Sequence, residues 1–353
     1  MSRFLSGGLS ALEAYVPGEQ PRDKKYIKLN TNESPYPPPE SVVKAIGRAE
    51  IEDLRLYSDP ECKALRAAVS EEYGIDRKNI FLSNGSDEIL NFAFMAYGDK
   101  GAVFPDITYG FYSVFAGLYG INAEIIPLND DFTLDVNAFC GKNKLVVIAN
   151  PNAPTGLALE LSEIEKIVSS NPDGVVLIDE AYVDFGAQSA YRLTEKYDNL
   201  LVVQTFSKSR SMAGARLGFA FANNEIIEDL EKIKYSTNPY NINRLTQLAG
   251  TAALKSGGYF KENCRRIADT REYVKKELKK MNFTVTDSAA NFLFAKSGKV
   301  GGKELYYKLR EKGILIRHFE KERISEYNRI TVGSREEMEA FLKAVREITE
   351  EKV

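Results

Sequence analysis

The chain has 353 residues, about twice the size of a typical single domain, which predicts two domains. Its 47 basic and 50 acidic side chains are interspersed and leave a formal net charge of −3, so charge gives no reason to expect a nucleic-acid or membrane partner. The three cysteines are widely spaced, which excludes a disulfide framework. No apolar run approaches the about 20 residues of a membrane-spanning helix, and the start of the sequence lacks the apolar core of a signal peptide, so the cytoplasm is expected.

Short apolar runs alternate with amphipathic stretches through the first two-thirds of the chain. After a Pro-rich connection at 31–41, the pattern predicts a helix at 61–74, a strand at 79–83 and a helix at 86–98. It then predicts a helix at 108–120 and strands at 101–105, 123–128, 144–151, 174–181, 200–206 and 215–222. Nearly continuous apolar runs are typical of strands buried on both faces. Residues 30–240 are therefore expected to form a large α/β domain, with a mainly parallel sheet between helices.

The pattern changes beyond about residue 240. A long helical region is predicted from 243 through 281, with further helices at 302–313 and 336–352, and strands at 283–287, 291–296, 314–319 and 329–333. This predicts a smaller α+β domain formed by 241–353 with an N-terminal arm, 1–29. The chain's one histidine, His318, excludes metal sites built from several histidines, and its charged surroundings predict a solvated surface position.

The segment 202–220 carries the strongest chemical signal. A buried strand ends at Thr205 and is followed by Ser207, Lys208 and, eight residues later, Arg216. A lysine amine attacks aldehydes when it is held at a shielded site, and the carboxyl end of a strand in an open α/β sheet offers such a position. The two hydroxyls and the guanidinium are suited to bind a phosphate monoester.

Two further segments end predicted strands with polar groups. Asp179 needs a cationic or hydrogen-bonding partner such as a protonated pyridine nitrogen, and Tyr182 is placed to reach an oxygen on the same ring. At 82–89 the backbone amides of Ser86 and Asp87 at a predicted helix start would form an anion site, although many helices begin with Ser-Asp as an ordinary cap. Tyr109 is a candidate to stack on a flat ring, although aromatics at helical spacing are more often core residues.

These segments resemble the fold-type I aminotransferases over nearly the whole chain. The blocks that carry the resemblance are NPNAPTG (150–156), IDEAY (178–182) and SKSRSMAGARLG (207–218). The resemblance implies pyridoxal 5′-phosphate (PLP) as the cofactor, bound as a Schiff base on Lys208, which also acts as the catalytic acid and base. It assigns the ring nitrogen to Asp179, the ring oxygen to Tyr182 and the ring face to Tyr109. The phosphate is assigned to Ser86, Asp87, Thr205, Ser207 and Arg216.

One position departs from the family pattern. The family usually has Asn directly before PTG, and this chain has Ala153 there. Either the neighbouring Asn152 takes over the hydrogen bond to the ring oxygen, or Tyr182 acts alone.

Within this family the chain is most similar to histidinol-phosphate aminotransferases. The matching stretches are LEAYVPGE (12–19), KLNTNESPYPP (28–38), LYSDPE (56–61), GSDE (85–88), GILIRHF (313–319) and NRITVGSREE (328–337). The resemblance implies a homodimer in which Tyr57 reaches the neighbouring subunit's cofactor phosphate. It places Tyr15 and Asn32 in the substrate pocket, and assigns substrate anions to Arg317 and Arg329. Small-molecule amino donors and 2-oxo acids are the implied substrates, in a ping-pong reaction of histidine biosynthesis.

Two other functional classes remain open at this level. Aromatic-amino-acid aminotransferases and threonine-phosphate decarboxylases share the lysine, the aspartate and the phosphate site with this pattern. A non-catalytic binding protein on the same fold has little need of a Schiff-base lysine, so Lys208 argues against that alternative.

Overall fold

The computed structural model describes residues 9, 12 and 15–350. Its N-terminal part begins with strand β1 (Ile27–Lys28) and an extended segment that leads to three helices. These are α1 (Glu40–Ala45), α2 (Arg48–Glu52) and α3 (Lys63–Tyr73). Helix α3 ends at Gly74, whose backbone adopts the left-handed conformation that glycine permits and that closes many helices. The expected irregular connection at 31–41 and the expected helix at 61–74 agree with this part of the fold.

A seven-stranded sheet forms the centre of the fold, in the order β2-β8-β7-β6-β5-β3-β4. Its strands are β2 (Ile80–Ser83), β3 (Ala102–Pro105), β4 (Ala123–Ile126), β5 (Leu145–Ala149), β6 (Val176–Asp179), β7 (Leu200–Thr205) and β8 (Gly218–Phe221). All pairs are parallel except those of β8, which is antiparallel to both of its neighbours. Every residue of β2, β3 and β5–β8 is buried, which explains their apolar runs. The predicted mainly parallel sheet is confirmed.

Helices cover both faces of this sheet. They are α4 (Ser86–Tyr97), α5 (Phe111–Tyr119), α6 (Leu161–Ser169) and α7 (Asn224–Thr237). Helices α4, α5 and α7 share one apolar cluster with the sheet, whereas α6 packs through Ile164 and Ile167 on Val146 and Ile148. The helix predicted at 108–120 begins only at Phe111, because residues 106–110 form the turn that follows β3.

The C-terminal part contains a second, four-stranded sheet in the order β12-β13-β10-β9. Its elements are helices α8 (Arg244–Leu254), α9 (Gly257–Lys280), α10 (Gly302–Glu311) and α11 (Arg335–Glu350), and strands β9 (Phe283–Val285), β10 (Phe292–Ser297), β11 (Ile314–Leu315), β12 (Arg317–His318) and β13 (Asn328–Thr331). The single strand expected at 314–319 is wrong. Its first half, β11, pairs in parallel with β1, and its second half, β12, pairs with β13.

The packing of α8 and α9 bears on how the two parts join. Ala249 and Ala253 of α8 belong to the apolar cluster of Phe219 at the edge of the large sheet. Helix α9 enters that cluster at Phe260 and continues into the core of the small sheet, where Val274 packs. The expected domain boundary near residue 240 stays a prediction.

Two further expectations about exposure can be compared with the fold. His318 is half-buried rather than solvated, because its ring stacks on Tyr306 at 5.9 Å between centroids and its Nδ1 lies 3.2 Å from Oδ1 of Asn328. Within the residues the structure describes, no helix is long and apolar enough to cross a membrane.

Candidate active site

Lys208 follows β7 at the carboxyl edge of the large sheet and is half-buried. Its Nζ donates to the backbone carbonyl of Thr31 at 3.2 Å and lies 5.7 Å from the centre of the Tyr182 ring. In the described part of the chain no carboxylate forms an ion pair with this amine. The amine therefore faces the site and has only a neutral hydrogen-bond acceptor to give up when it reacts.

Asp179 ends the neighbouring strand β6 and is 5% exposed. Its Oδ2 accepts from the Tyr112 hydroxyl at 2.9 Å, and its Oδ1 accepts from the backbone N–H of Ala181 at 3.2 Å. Burial raises the pKa of this carboxyl from 3.8 to about 6, and the two hydrogen bonds oppose that rise. No cation whose side chain the structure describes forms an ion pair with Asp179, so a cationic group of a ligand would meet an unpaired carboxylate here.

The predicted anion site is assembled at the start of α4. The Asp87 carboxylate accepts from Arg216 Nη2 at 2.9 Å and from the Tyr109 hydroxyl at 2.9 Å, while the Arg216 side chain stays 47% exposed. Ser86 begins the helix, so its free N–H points out of the helix end. On the adjacent strand end the Thr205 hydroxyl donates to the Ser207 hydroxyl at 3.0 Å. Helix amides, hydroxyls and a guanidinium with free donors together make a cup for an anion.

Gly218 explains how the turn before α4 comes so close to the sheet. A Cβ at this position would lie 2.5 Å from the Ser86 nitrogen and 2.6 Å from the Gly85 carbonyl carbon. Only a residue without a side chain allows the helix start to sit against the end of β8. Gly85 suits the turn for a different reason, because its backbone adopts φ 80°, in the left-handed region that favours glycine.

Asn32 connects the N-terminal segment to both sheets. Its Nδ2 donates to the Tyr182 hydroxyl at 3.0 Å, and its Oδ1 accepts from the Thr331 hydroxyl at 2.9 Å. Its backbone lies in the left-handed region at φ 56°, which asparagine tolerates better than most residues. The Tyr182 ring packs edge-on against Phe292, 5.0 Å between centroids. Asn32 and Tyr182 therefore lie together, next to Lys208.

The two candidate substrate arginines lie on the small sheet, and the Tyr15 ring packs at the start of α5. Arg317 donates to the carbonyls of Val16 and Pro17 at 3.3 and 3.5 Å, and Arg329 donates to the Asn30 carbonyl at 3.0 Å. The Nε of Arg329 is buried without a hydrogen-bond partner, and burial lowers the pKa of its guanidinium. The Tyr15 ring stacks on Phe111 at 4.2 Å and meets Tyr109 edge-on at 6.2 Å.

Two of the predicted residues are not in contact with this group. Asn152 donates from Nδ2 to the Ile107 carbonyl and the Thr155 hydroxyl, both at 3.0 Å. Ala153 belongs to a small apolar cluster with Ala290 and Phe292, and Tyr182 packs against that cluster. Tyr57 is 79% exposed and stacks on Tyr240, 4.4 Å between ring centroids.

Tyr112, Thr31 and Thr331 were not predicted as site residues. The carbonyl of Thr31 and the hydroxyl of Thr331 act through contacts between distant segments, which no local sequence pattern reveals. Tyr112 stands three residues after Tyr109, a spacing that indicates one helix face but not that a phenol would meet a buried carboxylate.

Comparison with known proteins decides the family. Residues 24–345 match the family described as Aminotransferase class I and II. The chain belongs to this family.

Relatives and solved structures agree with that assignment. A histidinol-phosphate aminotransferase from Brachyspira hyodysenteriae is 51% identical to this aminotransferase over 99% of each chain. The structure of a histidinol-phosphate aminotransferase from Sinorhizobium meliloti, in complex with pyridoxal-5′-phosphate, superposes with a TM-score of 0.89 at 23% identity and covers 100% of this chain and 99% of that one. An L-threonine-O-3-phosphate decarboxylase from Porphyromonas gingivalis also superposes, with a TM-score of 0.79 at 21% identity, and covers 92% and 99%. These superpositions establish a fold-type I architecture.

The family uses PLP, so this aminotransferase is a PLP-dependent enzyme. Its residues fit the cofactor. Asp179 is a buried carboxylate with no cationic partner among the described side chains, and a protonated ring nitrogen would supply one. Arg216 and the start of α4 offer free donors to a phosphate. Lys208 supplies an amine without an ion-pair partner among the described residues.

Proposed function

We propose that this aminotransferase transfers the amino group of histidinol phosphate to 2-oxoglutarate in histidine biosynthesis. The observation that carries the proposal is the Arg317–Arg329 pair. Neither guanidinium has a carboxylate partner in the described part of the chain, and the Nε of Arg329 is buried and unpaired. Histidinol phosphate carries a phosphate group and 2-oxoglutarate carries two carboxylates, so both substrates supply the anion that these two cations lack. The full-length similarity to histidinol-phosphate aminotransferases supports the same substrate.

Bound PLP supplies an aldehyde that condenses with amines and a ring that withdraws electrons from the substrate Cα. In this proposal Lys208 would hold the cofactor through its amine, and the free amine would move the proton between the substrate Cα and the cofactor's C4′. The neutral Thr31 carbonyl accepts from the free Lys208 amine at 3.2 Å and would hold this amine in the site while it acts as acid and base. Asp179 keeps the ring nitrogen protonated.

The remaining residues orient the cofactor. The Tyr182 hydroxyl, itself fixed by Asn32, is assigned to the ring oxygen, and Tyr109 to the ring face. Ser86, Asp87, Thr205, Ser207 and Arg216 are assigned to the phosphate. Because the Nδ2 of Asn152 donates to Ile107 and Thr155, we propose that Tyr182 acts on the ring oxygen without help from Asn152.

We further propose a cytoplasmic homodimer with shared active sites. The exposed Tyr57 ring is assigned to the phosphate of the neighbouring subunit's cofactor, and Tyr15 to the substrate. The chain is divided into a large PLP-binding domain, 30–240, and a small domain formed by 241–353 with the arm 1–29. The absence of disulfides among Cys62, Cys140 and Cys264 fits a reducing compartment.

A single-turnover experiment tests the substrate. The PLP-loaded enzyme is mixed with L-histidinol phosphate and, in parallel, with L-phenylalanine and L-threonine phosphate, and conversion of the cofactor to its amine form is followed by absorbance. We expect rapid conversion with histidinol phosphate and slow conversion with phenylalanine. Faster conversion with phenylalanine, or carbon dioxide release from threonine phosphate, would replace histidinol phosphate as the substrate and leave the PLP chemistry intact.

A further inference from the structure

Tyr112 is a fully buried phenol with one hydrogen-bond partner, the Asp179 carboxylate. It lies on the first turn of α5, and its ring is packed among Phe94, Phe104 and Tyr109 at centroid distances of 6.5, 6.0 and 5.7 Å. These contacts fix the ring, so the hydroxyl points at Asp179 Oδ2 without further adjustment.

The hydroxyl itself needs an explanation. A phenylalanine would fill the same aromatic surroundings without burying a polar group, which is costly unless that group is hydrogen-bonded. Burial and the neighbouring Asp179 raise the pKa of Tyr112 well above its ordinary value. The phenol therefore stays protonated and acts as a permanent donor towards the carboxylate.

The hydrogen bond from Tyr112 lowers the pKa of the Asp179 carboxyl, against the effect of burial. Burial favours the neutral carboxyl, whereas hydrogen bonds donated by Tyr112 and by the Ala181 amide favour the ionised form. These two donors occupy one site on each carboxylate oxygen and leave other lone pairs for a third partner. Only the ionised carboxylate attracts a protonated ring nitrogen.

We propose that Tyr112 is a positioning residue for PLP, whose hydroxyl keeps Asp179 ionised and oriented towards the cofactor's ring nitrogen. The inference rests on the proposed role of Asp179. The turn before α5 and its first helical turn then make two separate contributions: Tyr109 donates to Asp87 in the Asp87–Arg216 cup, and Tyr112 donates to Asp179.

The test measures cofactor affinity rather than turnover. Apoenzyme is titrated by calorimetry with PLP and with 1-deaza-PLP, which keeps the aldehyde and phosphate but has carbon in place of the ring nitrogen. The variant is Tyr112→Phe. The matched control is Tyr119→Phe, on the same helix, where the removed hydroxyl donates to Asn91 Oδ1 at 2.8 Å.

Wild-type protein is expected to bind PLP more tightly than the deaza analogue. Tyr112→Phe should weaken PLP binding about tenfold, equivalent to about 1.4 kcal/mol, and leave the affinity for the analogue nearly unchanged. Tyr119→Phe should change neither affinity. An equal loss for both ligands would mean that the hydroxyl supports the pocket as a whole, and no loss for PLP would mean that it does not act on the cofactor. Either result would overturn the inference.

The same titrations separate this inference from the proposal beneath it. If wild-type protein binds both ligands equally, the assignment of Asp179 to the ring nitrogen fails, and the role of Tyr112 fails with it. If the wild type and Tyr112→Phe prefer PLP over 1-deaza-PLP by the same factor, only the role of Tyr112 fails.

A double-mutant cycle provides a second, independent measurement. In an Asp179→Asn background, adding Tyr112→Phe should cost no further PLP affinity, because Tyr112 acts through the carboxylate. A further loss of about tenfold would contradict the proposed route. Unfolding curves of each apoenzyme variant establish that the compared proteins are folded.

Discussion

Arg317 and Arg329 stand directly opposite each other on the antiparallel strands β12 and β13. Like charges in facing positions of a sheet destabilise it. Both guanidinium groups donate only to backbone carbonyls, and neither has an acidic partner within residues 15–350. This arrangement is unfavourable in the free protein, and a bound dianion would relieve it.

The first prediction concerns this pair. Phosphate or 2-oxoglutarate should raise the unfolding temperature of the enzyme, because a ligand at 100 times its Kd stabilises by about 2.7 kcal/mol. Arg329→Gln should abolish most of that rise and increase KM for histidinol phosphate about 100-fold, as expected when a buried charged donor is lost. Thermal unfolding with and without the anions measures the effect.

A matched control is Arg77→Gln, which removes an exposed guanidinium elsewhere. It should leave the anion response unchanged. If Arg329→Gln responds to the anions as wild type does, the substrate anion does not bind at this pair.

The sequence predicted the large sheet well because its strands are buried on both faces and are therefore apolar throughout, as at 176–179 and 200–205. It failed at 314–319. There the chain changes sheets between Leu315 and Arg317, and the partners are β1, almost 290 residues earlier, and β13. Such a change depends on which distant segments meet, which periodicity cannot report.

The candidate site likewise contains residues that the sequence predicts and residues that it does not. Asp179 ends one apolar strand and Lys208 follows shortly after another, so their positions at the carboxyl edge of the sheet follow from the pattern. Tyr112 has the signature of a core aromatic, and its hydroxyl matters only because Asp179 from another element lies 2.9 Å away. The sequence also left open whether Asn152 contacts the ring oxygen. The structure shows its side chain donating to the Ile107 carbonyl, whereas Ala153 lies in the cluster on which Tyr182 packs, and neither direction can be read from the sequence.

The second prediction tests the close approach at Gly218. Gly218→Ala places a Cβ within 2.6 Å of backbone atoms of Gly85 and Ser86, so the start of α4 must shift. We expect a loss of about 1–3 kcal/mol in unfolding free energy, as in other overpacked sites, and a clearly weakened affinity for PLP. Gly214→Ala is the control, since a Cβ there meets nothing within 4 Å. Unchanged PLP affinity in Gly218→Ala would show that the helix start does not hold the phosphate.

The third prediction concerns Lys208. Lys208→Ala should still bind PLP through Asp179 and the Arg216 cup, but the half-reaction with histidinol phosphate should slow by about 10⁴-fold, because the general base is missing. A small amine such as methylamine should restore part of the rate. Single-turnover absorbance measures both effects, and Lys196→Ala, at an exposed position, serves as the control. A near-normal rate in Lys208→Ala would assign proton transfer to another group.

The last prediction uses the buried carboxyl of Glu180, next to Asp179. It accepts from the Ala190 amide at 2.6 Å, from Gln204 Nε2 at 2.8 Å and from the Ser189 hydroxyl. Burial nevertheless raises its pKa from 4.5 to about 7. Because the folded state then binds more protons than the unfolded state between these values, the free energy of unfolding should fall as the pH rises from about 4.5 to about 7.

Glu180→Gln removes this titration and should flatten the pH profile of apoenzyme stability across that window. Urea unfolding at several pH values measures the difference between the variant and wild type. The difference matters more than either profile, because Asp179, whose pKa burial raises to about 6, titrates in both proteins and contributes a fall of the same sign. Equal slopes in the two proteins between pH 4.5 and 7 would mean that Glu180 stays ionised in the folded state, held by its three donors against the cost of burial.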